Sequence, residues 1–248
     1  MSLLPPAARG LRPLLSRIVH RPTDARGLRR LGARGRRADL IEKLEWVSCD
    51  VVSALKLPEL SAFFREDDRE GGYLRGFPGG SIWEIEGLFL YALARALAPE
   101  IVIETGTYAG CSTRHLSIAI SRNSHGRVYS IDIDPRMSDA LPGNDAVVPI
   151  CSDSVSWLED NPELIERCGL FFHDSDHSPE HVRREVRAVW DRLPRGAVVV
   201  SHDVHSPAHN PIGRDGTWTA FRSAVTEPVF RLDFHPLSDC GLGIARKV

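Results

Sequence analysis

The segment Ile101-Val102-Ile103-Glu104-Thr105-Gly106-Thr107-Tyr108-Ala109-Gly110-Cys111-Ser112 limits the fold of this chain more than any other. A short β-branched run ends in a carboxylate, turns on two glycines and opens a helical pattern. A strand, a Gly-rich loop and a helix N-terminus in that order form the place where an α/β sheet binds a nucleotide-like ligand. The spacing Gly106-x-x-x-Gly110 is not the G-x-G-x-x-G of a dinucleotide site. A bent loop with Glu104 before it suits a ligand carrying an amino acid group. The carboxylate accepts from an ammonium, and the helix N-terminus donates to a carboxylate. A βα turn of this kind also occurs purely for packing, so the remaining motifs must decide.

A second carboxylate follows at the right distance. Arg127-Val128-Tyr129-Ser130-Ile131-Asp132-Ile133-Asp134-Pro135 alternates apolar and polar residues and stops at a proline, as a neighbouring parallel strand does. Asp132 lies 22 residues after Gly110. An acid about 20 residues beyond such a loop, at the end of the adjacent strand, is positioned for ribose hydroxyls. Asp134, directly before Pro135, reads instead as a cap on the following turn.

These residues resemble a known family. Glu104-x-Gly106-x-Tyr108-x-Gly110-x-Ser112, followed by Ile131-Asp132-Ile133-Asp134-Pro135, is similar to the class I S-adenosylmethionine-dependent methyltransferases. The branch it resembles most contains catechol O-methyltransferase-like enzymes and macrocin or sugar O-methyltransferase-like proteins. The resemblance runs from about Ser81 to the C-terminus. It implies S-adenosylmethionine as cofactor, bound by Glu104, Gly106, Tyr108, Gly110, Ser112 and Asp132. It also implies that Cys151-Ser152-Asp153-Ser154 flanks the adenine, with Asp153 or a backbone amide contacting it, and makes Ser152 and Asp153 cofactor-binding candidates. Asp153 or Ser154 is equally well read as a plain helix N-cap, and the two roles are compatible.

Strands are expected at 101–104, 127–133, 146–150, 169–173, 197–201, 229–234 and 241–246. Helices are expected from Asp39 to Leu57, Ser81 to Ala98, and over 111–121, 154–166, 179–192 and 215–226. Ser81 reads as an N-cap with Glu84 as its capping-box partner. Such alternation specifies an α/β, doubly wound, seven-stranded and mostly parallel sheet. The connection Pro236 to Cys240 is too short for a crossover helix, so the last two strands form an antiparallel hairpin. That ending matches the methyltransferase resemblance and not a dehydrogenase-type sheet.

The chain divides by sequence into a basic arm (1–40), a helical and loop lead-in (41–80) and a cofactor-binding domain (81–248). The arm holds ten arginines against Asp24 and Asp39. It reads as a loosely ordered or oligomer-contacting tail, with a transit peptide or a tether as alternatives. The net charge of −2 gives no reason to expect nucleic acid as a partner. No apolar run approaches a membrane span. Five scattered cysteines, with no C-x-x-C pair, argue for a reducing, cytoplasmic setting.

The densest chemistry lies in Phe171-Phe172-His173-Asp174-Ser175-Asp176-His177-Ser178-Pro179-Glu180-His181. Two carboxylates and two imidazoles fall in one loop at a strand's carboxyl end, and Pro179 suits the first position of the next helix. The strand 197–201 ends in His202-Asp203. Asp174, His202 and Asp203 are candidates to converge on one magnesium or manganese ion. The resemblance implies the same: an aspartate after the fourth strand, here Asp174, and an acidic pair after the fifth, here represented by Asp203. It also implies a catalytic pairing of Asp174 with His177 as base. His202 stands where that branch commonly has a glutamate, and Val204 where the catechol members have an asparagine. His173 reads as core or supporting, His181 as structural, and Val182, Val186, Val189 and Trp190 as a packing stripe. His205, His209 and Trp218 border the expected acceptor pocket or lie on a surface loop.

The expected activity is methyl transfer to a hydroxyl of a small molecule, with a sugar or glycosylated natural product favoured. A homo-oligomer is left open. A nicotinamide-dependent oxidoreductase and a non-catalytic cofactor-binding scaffold are the rival readings.

Overall fold

The computed structural model describes residues 33–66, 81–139, 141, 145–204, 215–234, 237–238 and 240–248. The readings made for residues 1–32, for most of the loop 65–80, for His205 and His209, and for part of the 236–240 connection lie outside the described residues. The chain falls into two compact units, Met1–Asp39 and Leu40–Val248. The first is described only from Ala33, where helix α1 (Ala33–Leu55) begins.

The larger unit contains a seven-stranded sheet. In chain order its elements are α2 (Leu60–Phe63), α3 (Glu84–Leu97), β1 (Ile101–Thr105), α4 (Cys111–Asn123), β2 (Arg127–Asp132), α5 (Pro135–Asp139), β3 (Val147–Cys151), α6 (Ser154–Asp160) and α7 (Pro162–Ile165). They continue with β4 (Cys168–His173), α8 (Pro179–Trp190), β5 (Val198–His202), α9 (Asp215–Ala224), β6 (Val229–Leu232) and β7 (Leu242–Arg246). The strand order is β3-β2-β1-β4-β5-β7-β6. Strands β1 to β5 pair in parallel. β7 runs antiparallel to both β5 and β6, which is the hairpin expected from the short connection.

Successive strand residues face opposite sides of the sheet, and the core divides accordingly. Val102, Val128, Leu170, Phe172, Val198 and Val200 join one cluster with α1, α3 and α4, including Leu44, Leu55, Phe89, Leu116 and Ile120. Ile103, Ile131, Phe171 and Val199 join the other with Val182, Val186, Val189 and Trp190 of α8 and Phe221 of α9. The stripe on α8 is therefore core packing. Leu60 and Phe64 of the lead-in are fully buried in the first cluster, so its described residues from Leu40 to Phe64 contribute to the domain core.

Two local readings are corrected. Helix α3 is not capped by Ser81 and Glu84. Its N-cap is Trp83, whose backbone N–H donates to the Glu86 carboxylate at 3.0 Å. The continuous helix expected over 154–166 is two helices, because Pro162 has no N–H to donate and a new helix restarts with Pro162 in its first turn. Elsewhere most ends differ from expectation by one or two residues, while α1 starts six residues earlier, and the short α2 and α5 are additional.

Helices α3 and α4 meet closely at Gly87. A Cβ there would come within 2.5 Å of the His115 ring. His115 is buried, its Nδ1 pairs with the Cys111 carbonyl at 2.7 Å, and burial pushes its pKa down to about 4. Gly87→Ala overpacks this contact. It is expected to lower stability by about 1–3 kcal/mol, read as a reduced denaturant midpoint with an unchanged slope.

Candidate active site

The site is built at the carboxyl ends of β1 to β5. Gly106 and Gly110 adopt φ of +87° and +75°, a conformation open to glycine at little cost. They bend the β1–α4 loop so that its backbone N–H groups face Asp132. Thr107 and Tyr108 each donate to Asp132 Oδ2 at 3.0 Å, and Asp134 N–H donates to Oδ1 at 2.9 Å. Asp132 thus anchors the loop from the neighbouring strand, with lone pairs to spare on a partly exposed carboxylate. Asp134 accepts from the Arg136 N–H at 3.0 Å, which is the turn cap expected of it.

Glu104 is fully buried at the β1 end. Its Oε2 accepts from Thr113 Oγ1 at 2.5 Å and Ser130 Oγ at 2.6 Å, while Oε1 has no hydrogen-bond partner. Desolvation raises its pKa to about 7, only partly offset by the hydroxyls of Ser112, Ser130 and Thr113. A buried, half-satisfied carboxyl below a glycine-bent loop and a helix N-terminus fits a ligand that brings an ammonium and a carboxylate. Tyr108 is exposed beside the loop, with a φ of 45°. At the β3 end, Asp153 is the N-cap of α6, accepting from Ser156 N–H at 2.8 Å, and Ser152 N–H donates to the Asp132 carbonyl at 3.0 Å. The cap reading of Asp153 is realised, and Ser152 sits next to the Asp132 strand end.

The β4 and β5 ends carry the ionisable cluster. Asp174 Oδ1 is 2.8 Å from His202 Nδ1 and 3.3 Å from His177 Nε2. His177 Nδ1 is 3.4 Å from Asp203 Oδ2, and His202 Nδ1 is 3.8 Å from Asp203 Oδ1. Asp203 holds a φ of 56°, a conformation that Asp tolerates better than most residues and that turns its carboxylate back toward His177. The Thr217 hydroxyl donates to the His177 carbonyl at 3.1 Å, which ties the loop to α9. The structure therefore brings Asp174, His177, His202 and Asp203 together, as the sequence suggested, and adds Cys240 beside His202 and Asp203.

Ligand-capable atoms of Asp174, His177 and His202 lie within 4.8 Å of one another, as do those of His202, Asp203 and Cys240. Neighbouring ligands on a small divalent ion are separated by roughly 3 Å, given bonds of about 2.0–2.2 Å. The expected set Asp174, His202 and Asp203 is split between these two groups, with His202 the donor common to both. His202 Nε2 is taken by Glu86 at 3.1 Å, so Nδ1 is the ring atom turned toward the carboxylates. Burial opposes a charge on His202, but Asp174 and Glu86 prevail and hold its pKa well above the ordinary value.

Two buried carboxylates escaped sequence reasoning. Glu185 on α8 accepts from Thr105 Oγ1 at 2.7 Å, His173 Nδ1 at 2.6 Å, Ser175 Oγ at 2.7 Å, His181 Nε2 at 2.8 Å, and the Ser154 hydroxyl. It explains His173 and His181, which are supporting residues and not ligands. The only local signal was the His181–Glu185 spacing on one helix face. Glu86 is the other, and its signal was its place in the first turn of α3.

Residues 103–204 match the model of a methyltransferase domain. That match spans 102 of the 248 residues, and the seven-stranded sheet around it has a Rossmann-like methyltransferase fold. No curated protein matches the chain in sequence. Among solved structures, an O-methyltransferase from Bacillus cereus in complex with SAH is similar, with a TM-score of 0.54 and 17% identity, over 83% of this chain and 91% of that one. TomG, an O-methyltransferase from Streptomyces achromogenes involved in tomaymycin synthesis and solved with SAM, gives 0.51 and 18%, over 69% and 84%. An SAH-bound methyltransferase from Podospora anserina gives 0.51 and 15%, over the full length of both chains. At these identities the likeness is one of fold.

The raised Glu104 pKa has a definite sign for the methyltransferase domain. Between about pH 4.5 and 7 the folded carboxyl holds a proton that the unfolded chain has lost, so this group's contribution to stability falls as pH rises through that window. An ammonium bound at Oε1 favours the carboxylate. Binding of S-adenosylmethionine is therefore expected to release a proton near pH 6 and none near pH 8.5, read from titration heats in buffers of different ionisation enthalpy. Equal heats in all buffers near pH 6 would remove Glu104 from the ammonium site.

Proposed function

We propose that the domain transfers the methyl group of S-adenosylmethionine to a hydroxyl of a small molecule, with His177 as the base and a divalent ion, magnesium or manganese, as an aid. The observation that carries this reading is the seat of His177 between Asp174 and Asp203, beside the strand end that bears Glu104 and Gly106. A sugar or a glycosylated natural product is the acceptor class implied by the family resemblance.

The cofactor supplies an electrophilic methyl on a sulfonium, so the chain's own tasks are orientation and proton removal. Glu104 and the N-terminus of α4 would hold the amino acid end, Asp132 the ribose, and Ser152 with the α6 cap the adenine side. Asp203 Oδ2 would orient His177 through Nδ1, and Nε2, 3.3 Å from Asp174 Oδ1, would take the acceptor proton. Asp174, His202 and Asp203 would hold the ion, which supplies Lewis acidity toward the acceptor hydroxyl. Fixing both reactants on one rigid strand edge supplies the orientational part of the rate. Among the described residues no helix is long and apolar enough to cross a membrane. All five cysteines are free, which supports a cytoplasmic setting.

His177→Ala is expected to lower kcat by about 10²–10⁴-fold while leaving the S-adenosylmethionine Kd within about twofold. Methyl transfer from labelled cofactor to a panel of sugars and phenols is the measurement. An unchanged kcat would remove His177 as base, and binding of a nicotinamide dinucleotide in place of S-adenosylmethionine would sink the reading as a whole.

A further inference from the structure

We propose that Glu86 is a positioning residue that sets the His202 ring so that Nδ1 faces the metal ligands, an inference that rests on the metal-assisted reading above. Glu86 is fully buried in the first turn of α3, far from His202 in sequence. Its two oxygens receive four donors from three separate segments. Oε2 accepts from the Trp83 N–H at 3.0 Å and the His202 ring at 3.1 Å. Oε1 accepts from the Ser238 hydroxyl at 2.5 Å and the Gly241 N–H at 3.0 Å. A carboxylate so filled cannot rotate without breaking several hydrogen bonds in a dry environment.

The consequence falls on the imidazole. Glu86 offers only acceptors, so His202 Nε2 must carry its hydrogen. The ring is then held edge-on, with Nδ1 at 2.8 Å from Asp174 Oδ1 and 3.8 Å from Asp203 Oδ1. A carboxylate on the distal nitrogen of a metal-binding histidine fixes tautomer and orientation and raises the basicity of the ligating atom. The same carboxylate ties α3 to the β6–β7 connection, so the ring is referenced to the fold and not to a mobile side chain. Glutamine in its place would keep the size but offer an amide N–H. Its amide nitrogen must face either the Trp83 N–H and His202 ring or the Ser238 hydroxyl and Gly241 N–H, so one pair of donors loses its acceptor, and in the first orientation His202 Nε2 does.

The test compares full-length wild type with Glu86→Gln, titrated with Mn²⁺ and followed by the electron paramagnetic resonance of free Mn²⁺. S-adenosylmethionine affinity is measured on the same samples. Mn²⁺ binding is expected to weaken by about 10–100-fold with the S-adenosylmethionine Kd changed by less than about twofold, a split that general misfolding does not produce. Wild type and variant binding Mn²⁺ equally well would overturn the role of Glu86 and leave the metal reading standing. No Mn²⁺ binding by wild type would overturn the metal reading and this inference with it. Should Glu86→Gln fail to fold, Ser238→Ala removes one of the donors that hold Glu86. A loss of at least about threefold in Mn²⁺ affinity then supports the role, and an unchanged affinity overturns it.

Discussion

The site depends on the contact between the ends of β1 and β4. The strand order reverses there, so α4 leaves to one face of the sheet and α8 to the other, and a crevice opens between them. Across that crevice the two loops touch. Asp174 N–H donates to the Thr105 carbonyl at 2.9 Å, and a Cβ on Gly106 would come within 2.1 Å of the Asp174 carbonyl oxygen. Glycine at 106 is therefore required twice, by its φ and by its neighbour. This one contact sets the distance between the β1–α4 loop and the loop that carries Asp174 and His177.

Buried carboxylates then fix each side of the crevice. Glu185 lies under the β1 and β4 ends and joins Thr105, Ser154, His173, Ser175 and His181 into one network. Burial would push its pKa up, yet His173, His181 and Ser154 hold it well below the ordinary value. An unpaired buried charge costs several kcal/mol, whereas a fully hydrogen-bonded one specifies a single arrangement. Glu86 does the same on the β5 side. The loop after β4 and the end of β5 are thus braced by two helices, α8 and α3, that pack on opposite faces of the sheet.

The alternation of strands and helices was legible because each strand is a short β-branched run and each helix has an amphipathic stripe, as Ile101 to Glu104 and Val182 to Trp190 do. The antiparallel ending was legible from the shortness of the 236–240 connection alone. Asp174, His177, His202 and Asp203 were legible because they lie at or within four residues of the carboxyl ends of β4 and β5. Glu86 and Glu185 were not, because their meaning lies in partners as many as 155 residues away and in burial, neither of which a local pattern carries. The Ser81–Glu84 cap failed for a related reason: Glu86 lies three residues after Trp83, and its tertiary partners on the hairpin decided which turn the helix begins on.

Charge balance connects these features to the proposed chemistry. Asp174 and Asp203 flank His177 and His202, Glu86 pairs with His202, and Glu104 lies on the neighbouring strand. Protons hold that balance in the structure: burial raises the Glu104 carboxyl to about 7, and the flanking carboxylates keep His202 protonated well above its ordinary range. On the proposed reading both incoming groups are positive, an ammonium and sulfonium on one side and a divalent ion on the other. The proton on Glu104 and one on His202 can leave as these groups enter, which offsets part of the incoming positive charge. On that reading the site favours a cationic methyl donor over an anionic dinucleotide by electrostatics as well as by the spacing of its glycines.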